Sequence, residues 1–313
     1  MPSSTFTGAP TYPGSAEMTV DALLRRPTVL LRNLADLVNQ RFVADQIFTR
    51  GSSEQVAGGA VWYQRSESLF PNRDVEEVGV RSEFPMAGWS EAVYSAFVKK
   101  YGLEVPISFE ARRRNQIDIV SRSQRKLANG MVKFVDTLAM SLLTTDPDVN
   151  TQVASGDWST AATDIIADLA TARRTVEDQN EGYMADTLVL NPAQNHDLFL
   201  DTDIRNALPR EAKNGPIQTG RVMPILGFDK IIITPQLAAG TVLVLTSKVI
   251  GTIADESPDS SEGYQSYSPG AGFAPIYMKI YAKEGIDEWR VRVARFPAMW
   301  IAEPKSAVKI TGA

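Results

Sequence analysis

The 313-residue chain predicts an α+β fold, and three observations carry that prediction. Between Ser108 and Thr144 apolar side chains recur at the three-, four- and seven-residue steps of one helix face. Ahead of that stretch, runs with alternating apolar and polar positions read as strands. Behind it, strand-like runs are interleaved with shorter helical patterns and the chain closes on strands.

Taken in order, the first residues, MPSSTFTGAPTYPGSAEM, are rich in Ser, Thr, Pro and Gly and read as an extended, flexible arm. They carry neither a basic segment nor an apolar core, so they are not expected to act as a secretory signal. Thr19 or Asp21 is placed to cap a helix bearing Leu23, Leu24, Leu30, Leu31, Leu34, Leu37 and Val38, and Pro27 divides it into two short pieces. GSSEQVAGGA at 51–60 is a flexible joint.

Ala60–Gln64, Val75–Phe84 and Ala92–Ile107 are expected as strands, with a polar turn around Pro71-Asn72 between the first two. Together they make a long two-stranded excursion with little core of its own. An isolated hairpin is marginal in water, so this one is expected to rest on something else, another subunit being the natural choice.

The Ser108–Thr144 helix is capped by Ser108, with Glu110 in its first turn and Pro147 beyond its end. Its apolar face comprises Ile117, Val120, Leu127, Met131, Phe134, Val135, Leu138 and Leu142, and unbroken it would span roughly 50 Å. Trp158–Asn180 reads as a second amphipathic helix through Ile165, Leu169, Ala172 and Val176, stopped by Gly182. Then come a strand at Thr187–Leu190, a short helix at Ala193–Leu200 and a polar loop at 203–220. Strands follow at Lys230–Thr234 and Thr241–Thr246, then a surface loop at 255–272. Strands at Tyr277–Ala282, Glu288–Phe296, Ala298–Ile301 and Ala307–Ile310 complete the chain.

Catalytic chemistry is missing from this pattern. There is no cysteine, which removes disulfides, thiolate metal sites and cysteine nucleophiles together. The single histidine, His196, cannot build a zinc site alone and reads as a surface or capping residue. No phosphate-binding loop, nucleophile elbow or H-E-x-x-H motif is present. DPDVNTQVASGD at 146–157 offers Asp146, Asp148 and Asn150 at calcium-loop spacing, but Thr151 stands where glycine is needed and Asp157 where glutamate is. It reads as a polar loop, and no cofactor or metal is expected. No apolar run approaches the roughly 20 residues of a membrane span. The net charge of −5, without a dominant basic tract, argues against tight DNA binding. Arg112, Arg113, Arg114, Arg122, Arg125 and Lys126 do gather on the first half of the long helix. They read as a solvated face, a weak nucleic-acid contact, or a partner for the acidic set Asp74, Glu76, Glu77 and Glu83 of a neighbouring subunit.

Four stretches carry a family resemblance. YGLEVPISFEARRRNQIDIVSRSQRKLANGMVKFVDTLAM (101–140) is similar to a strand leading into a spine helix. ADTLVLNPAQNHDLFL (185–200), ILGFDKIIITPQLAAGTVLVLTSK (225–248) and EGIDEWRVRVARFPAMWIAE (284–303) follow in the expected order. The chain thus resembles the major capsid protein of tailed bacteriophages, whose fold encapsulins share. The resemblance implies an N-terminal arm at 1–59, an extended β loop at 60–100 and a peripheral domain with its spine helix at 101–181. It further implies an axial domain at 182–250, a return to the peripheral domain at 251–293 and C-terminal strands of the axial domain at 294–313.

The implied function is that of a structural subunit, not an enzyme. It would self-assemble into hexamers and pentamers of an icosahedral shell around double-stranded DNA, in a virion built in the bacterial host cytoplasm. Implied partners are other copies of the chain, a scaffolding protein, a portal protein and the packaged DNA through weak non-specific contact, with a decoration protein left open and no membrane. Only about 60 residues precede the excursion, which favours a separate scaffolding protein and a retained arm. Some members cross-link through a loop lysine and a peripheral-domain asparagine. Residues 51–98 hold no lysine and none after Asn214 is asparagine, so no such isopeptide is expected.

Large apolar side chains on a thin excursion cannot all be covered by their own segment. Trp62, Tyr63, Leu69, Phe70, Phe84, Met86 and Trp89 are therefore the expected inter-subunit anchors, with Arg65, Arg73 and Arg81 at the rim. The alternatives are an encapsulin-type shell around protein cargo, a soluble α/β enzyme using acidic residues near Asp201 and Asp203, and a tail-tube subunit, which the long helix disfavours.

Overall fold

The computed structural model describes residues 20, 24, 28, 30–32, 34, 42–52, 56, 58–65, 73–88, 93–115, 117–160, 163–179, 181–201, 204, 225–267 and 275–313. Most of the N-terminal arm, the turn around Pro71-Asn72 and most of the 203–220 loop lie outside these residues. The described helices are α1 (Ala44–Ile47), α2 (Phe109–Arg113), α3 (Ile117–Thr145), α4 (Ile165–Glu177) and α5 (Pro192–Leu200). The strands are β1 (Thr49–Arg50), β2 (Ala60–Gln64), β3 (Val93–Phe97), β4 (Tyr101–Ser108), β5 (Asn150–Val153), β6 (Thr187–Leu190) and β7 (Lys230–Ile233). After them come β8 (Thr241–Leu245), β9 (Gly251–Asp255), β10 (Gln265–Tyr267), β11 (Ile276–Lys283), β12 (Glu288–Arg295), β13 (Pro297–Ile301) and β14 (Ala307–Thr311). The α+β class is as the sequence predicts.

The chain divides into two compact units, one of Met1–Gln40, Tyr101–Met131 and Pro258–Arg295, the other of Arg41–Lys100, Val132–Ser257 and Phe296–Ala313. The smaller unit is built on an antiparallel sheet in the order β10-β11-β12-β4. Strand alternation sends Ile107, Val291, Val293 and Met278 to the buried face. The opposite face carries Glu104, which accepts hydrogen bonds from Tyr281 (2.7 Å) and Arg290 (3.1 Å) and pairs with Arg292. Burial pushes the Glu104 carboxyl up, but these donors outweigh it and hold it below the usual carboxylate range. Gly102 is needed for close approach of β4 to β12, since a Cβ there would stand 2.8 Å from the Val293 carbonyl oxygen.

Ser108 ends β4 and caps α2 by accepting from the Ala111 amide at 3.2 Å. The expected single helix is broken here. Asn115 adopts a left-handed φ of 53°, and α2 stops before α3 begins. Asparagine tolerates that conformation, and its Oδ1 accepts from the Val20 amide at 2.8 Å. The 29 residues of α3 still span about 43 Å. Val120, Leu127, Met131 and Val135 are buried as expected, whereas Phe134 is exposed and Ala139, Met140 and Leu143 continue the buried line instead. The second half of the helix buries a different side from the first, the side on which Asp136 meets the Val43 and Ala44 amides.

The larger unit contains a five-stranded sheet, β5-β14-β8-β6-β7. Ile165, Leu169, Ala172 and Val176 of α4 pack with Leu188, Leu190, Val242, Val244, Val308 and Ile310 of that sheet. Val189, Leu243 and Leu245 are buried too, so β6 and β8 read as continuous apolar runs, as strands covered on both faces do. The second helix begins at Ile165, later than expected, because Asp164 caps it by accepting from the Ala167 amide at 2.9 Å. Trp158 instead sends its indole N–H to buried Asp168 (3.1 Å), which also accepts from the Ser155 amide (3.0 Å). On α3, buried Asp136 caps α1 by accepting from the Val43 and Ala44 amides, each at 3.0 Å.

Three further differences concern strands. Residues 75–84 form no strand: among the described residues no segment pairs with them, and a ladder needs a partner. The segment turns at Gly79–Ser82, where Arg81 has φ 71° and the Ser82 amide donates to the Gly79 carbonyl at 3.0 Å. The supposed polar loop after the long helix contains β5, which runs parallel to β14. The supposed surface loop at 255–272 contains β10. Strands β1 and β9, which the sequence pattern does not mark, pair in parallel.

The Glu104 cluster makes a pH-dependent contribution of definite sign. A carboxyl held below its unfolded value stabilises the fold above that value and loses the contribution as pH falls through the folded value. Glu104→Gln should therefore melt below the wild type at neutral pH, with the gap closing in acid. A gap that persists or widens in acid, followed by circular dichroism, would contradict this.

Candidate functional site

Strands β2 and β3 form an antiparallel ribbon pairing Ala60 with Phe97, Trp62 with Ser95, and Gln64 with Val93. Its two faces have different fates. Val61, Tyr63 and Ala96 turn toward a small core made with Val56, Ala254, Ala298 and Trp300. Tyr63 stacks on Tyr94 and on Trp300, with ring centroids 5.8 Å apart in both pairs. The other face presents Trp62 (75% exposed), Val93 and Phe97 (65% exposed) to solvent.

Arg65, one residue beyond β2, fixes the root of this ribbon. Its guanidinium pairs with Asp146 and Asp148, donates to the Ile301 carbonyl at 3.3 Å, and lies 5.1 Å over the Tyr94 ring. Burial opposes its charge, but the bond to Asp146 outweighs that and keeps Arg65 more firmly protonated than usual. Burial also raises the Tyr63 hydroxyl above its ordinary value. The string expected as a polar loop thus spends its first two carboxylates on an arginine, and β5 straightens the backbone where a calcium loop would have to curl. Among the described residues no group of acidic or histidine side chains is arranged to hold a metal.

Beyond the root, 73–88 carries no regular structure and is exposed almost throughout. Val75, Val80, Phe84 (82% exposed) and Met86 (92% exposed) are large apolar side chains left in solvent. Arg73 pairs with Glu76 three residues on, at 3.0 Å. Of the expected contact residues, Trp62, Arg73, Arg81, Phe84 and Met86 face solvent, while Tyr63 and Arg65 are engaged within their own unit. Leu69, Phe70 and Trp89 lie outside the described residues. Val93 and Phe97 join the exposed face and were missed. Their signal was available: on a ribbon paired in this register they share the Trp62 face.

The residues weighed for other chemistry do not converge. His196 is on the surface, with Nδ1 3.3 Å from Asp197 of its own helix. Asp201 accepts from the Ile204 amide at 2.9 Å as a local cap, and Asp203 lies outside the described residues. No described helix is long and apolar enough to cross a membrane.

Removing Arg65 should leave the Asp146 carboxylate, 5% exposed, without its cation. Arg65→Ala is expected to cost about 3 kcal/mol of unfolding free energy. Asp148→Ala, at a side chain 52% exposed, should cost under about 1 kcal/mol. Equal losses in urea melts would refute the clamp.

Similarity to known proteins extends over most of the chain. Residues 92–310 match the model of a family described as phage capsid protein. No curated protein sequence matches the chain. The chain is similar to the solved virus-like particle from Pyrococcus furiosus, at 13% identity over 90% of this chain and 98% of that one, with a TM-score of 0.57. It is similar to a structure of Mycobacterium phage Che8, at 10% identity over 86% of this chain and 90% of that one, TM-score 0.59. It is similar to the capsid of cyanophage P-SCSP1u, at 12% identity over 98% of this chain and 93% of that one, TM-score 0.57. At such identities the solved structures speak for the fold, while the family match covers most of the sequence. The chain belongs to the phage capsid protein family, as a major capsid protein that forms the shell.

Proposed function

We propose that the chain builds an icosahedral shell of hexamers and pentamers around the double-stranded DNA of a tailed phage, and that the 60–100 excursion is where one subunit holds the next. The observation that carries this is the division of the β2–β3 ribbon into a docked face and a bare apolar face. Trp62, Val93 and Phe97 on the ribbon and Phe84 and Met86 beyond it are solvent-exposed in the single chain. Fully burying one such side chain is worth roughly 1.5–3 kcal/mol. Repeated around a closed shell, modest contacts of this kind add up through multivalency.

Within this reading the role is geometric and no reaction is performed. Tyr63, Arg65, Tyr94 and Trp300 hold the ribbon in place, and Trp62, Phe84 and Met86 engage a second copy. Arg73 and Arg81 lie at the rim, with Leu69, Phe70 and Trp89 as further contacts. Assembly takes place in the host cytoplasm with a separate scaffolding protein and a portal protein. A shell of this fold could equally enclose protein cargo, and nuclease-protected DNA in particles made during infection separates the two.

Electron microscopy of the sedimented protein should show closed shells or rings of five and six. A homogeneous monomer, even with scaffolding protein supplied, would overturn the reading. Trp62→Ser with Phe97→Ser should leave the subunit folded but raise the concentration needed for assembly at least tenfold, each factor of ten being about 1.4 kcal/mol. Shells boiled in denaturant should run as monomers on a gel, since 51–98 offers no lysine for a covalent bond. A ladder of oligomers would contradict that.

A further inference from the structure

We propose that the exposed cationic stripe on the first half of α3, centred on Arg122, Arg125 and Lys126, grips the phosphodiester backbone of double-stranded DNA. It rests on the shell reading only in that the packaged genome supplies the DNA.

Charge is distributed unevenly along the chain. Residues 112–129 hold six cations (Arg112, Arg113, Arg114, Arg122, Arg125 and Lys126) and one acid, Asp118, a balance of +5. The whole chain carries −5, so the remaining residues carry −10. A local field of one sign, set in a chain of the other, is the electrostatic footprint of a polyanion site.

The geometry turns that field outward. Val120, Ser123, Leu127 and Met131 bury one side of the helix, and Gln124 donates to the Leu30 carbonyl at 3.2 Å on that same side. Arg122, Arg125 and Lys126 fall on the opposite side and are exposed. Among the described side chains none of the three makes an ion pair. Arg112 is used elsewhere, its guanidinium lying 5.8 Å from the centroids of both Phe109 and Trp289. Arg113 and Arg114 are exposed and extend the field, sharing their turn with Glu110.

The composition of the stripe favours phosphate over a second protein copy. Protein interfaces have a desolvated apolar centre from which charge is depleted. Among the described side chains the large apolar one that solvent reaches here is Ile119, 38% exposed, at the margin of the stripe. Phosphate contacts need no such centre. From Arg122 to Lys126 the helix advances about 6 Å. Duplex DNA carries one charge per about 1.7 Å of axis, so three cations over that length meet a matching density of phosphates. Binding of this kind is weak, salt-sensitive and indifferent to sequence, which suits a genome that must move as it is packed.

The test uses full-length unassembled subunits and a fluorescent duplex of mixed sequence, titrated by anisotropy between 50 and 200 mM salt. The variant is Arg122→Gln, Arg125→Gln and Lys126→Gln together. It should bind more weakly, and its slope of log affinity against log salt should be shallower by about 2.7, at about 0.9 for each phosphate no longer neutralised. Unchanged affinity and slope would overturn the proposal. Should the triple variant fail to fold, single Arg122→Gln and Lys126→Gln changes decide the question equally, each expected to lower the slope by about 0.9. The folded variant should also assemble like the wild type. Lost assembly with unchanged duplex binding would make the stripe a contact for a second copy and refute the DNA site. Wild-type subunits that bind duplex as expected yet never form shells would sink the shell reading alone.

Discussion

One clamp sets what the rest of the subunit can do. Arg65 leaves the end of a two-stranded ribbon and enters a pocket made by two carboxylates, a carbonyl and a tyrosine ring. Alone, a ribbon of five-residue strands is marginal in water. Here the clamp and the stacked rings of Tyr63, Tyr94 and Trp300 commit one face to the subunit's own core. That commitment gives the other face its meaning. A loosely attached ribbon could fold its tryptophan and phenylalanine inward, whereas the anchored one holds Trp62 and Phe97 in solvent.

Much of the architecture was legible from residue order. The helical stripe of 117–145, the continuous apolar runs at Thr187–Leu190 and Thr241–Leu245, and the Asn191-Pro192 start of α5 are local signals. What escaped was set by distant partners. β5 has the plain polar sequence NTQV and is a strand because β14 lies beside it. The reverse holds at 75–84, where a valine-rich pattern stays irregular with no pairing segment among the described residues. The break at Asn115 depends on a left-handed residue whose side chain meets Val20, a contact across 95 residues of sequence.

The candidate site followed the same rule. That the excursion would expose large apolar groups could be read from its composition, and Trp62, Phe84 and Met86 do so. Which side chains serve the subunit itself could not, because Tyr63 meets Trp300 and Arg65 meets Asp146 only after the chain has folded. Buried carboxylates were likewise invisible in advance. Asp136 and Asp168 look like solvent-facing residues on amphipathic helices, yet each is buried and accepts backbone amides from another segment. Charge sorts the chain in a related way, with a basic segment in 112–129 and an acidic remainder.

Amide hydrogen exchange over 60–100, compared between free subunits and assembled shells, reads the clamped ribbon and its exposed excursion directly. Fast exchange is expected at 73–88 in free subunits, slower exchange at the clamped ribbon, and strong protection of 73–88 once shells form. Protection already present in the free subunit, or exchange at 73–88 that assembly leaves unchanged, would contradict that expectation.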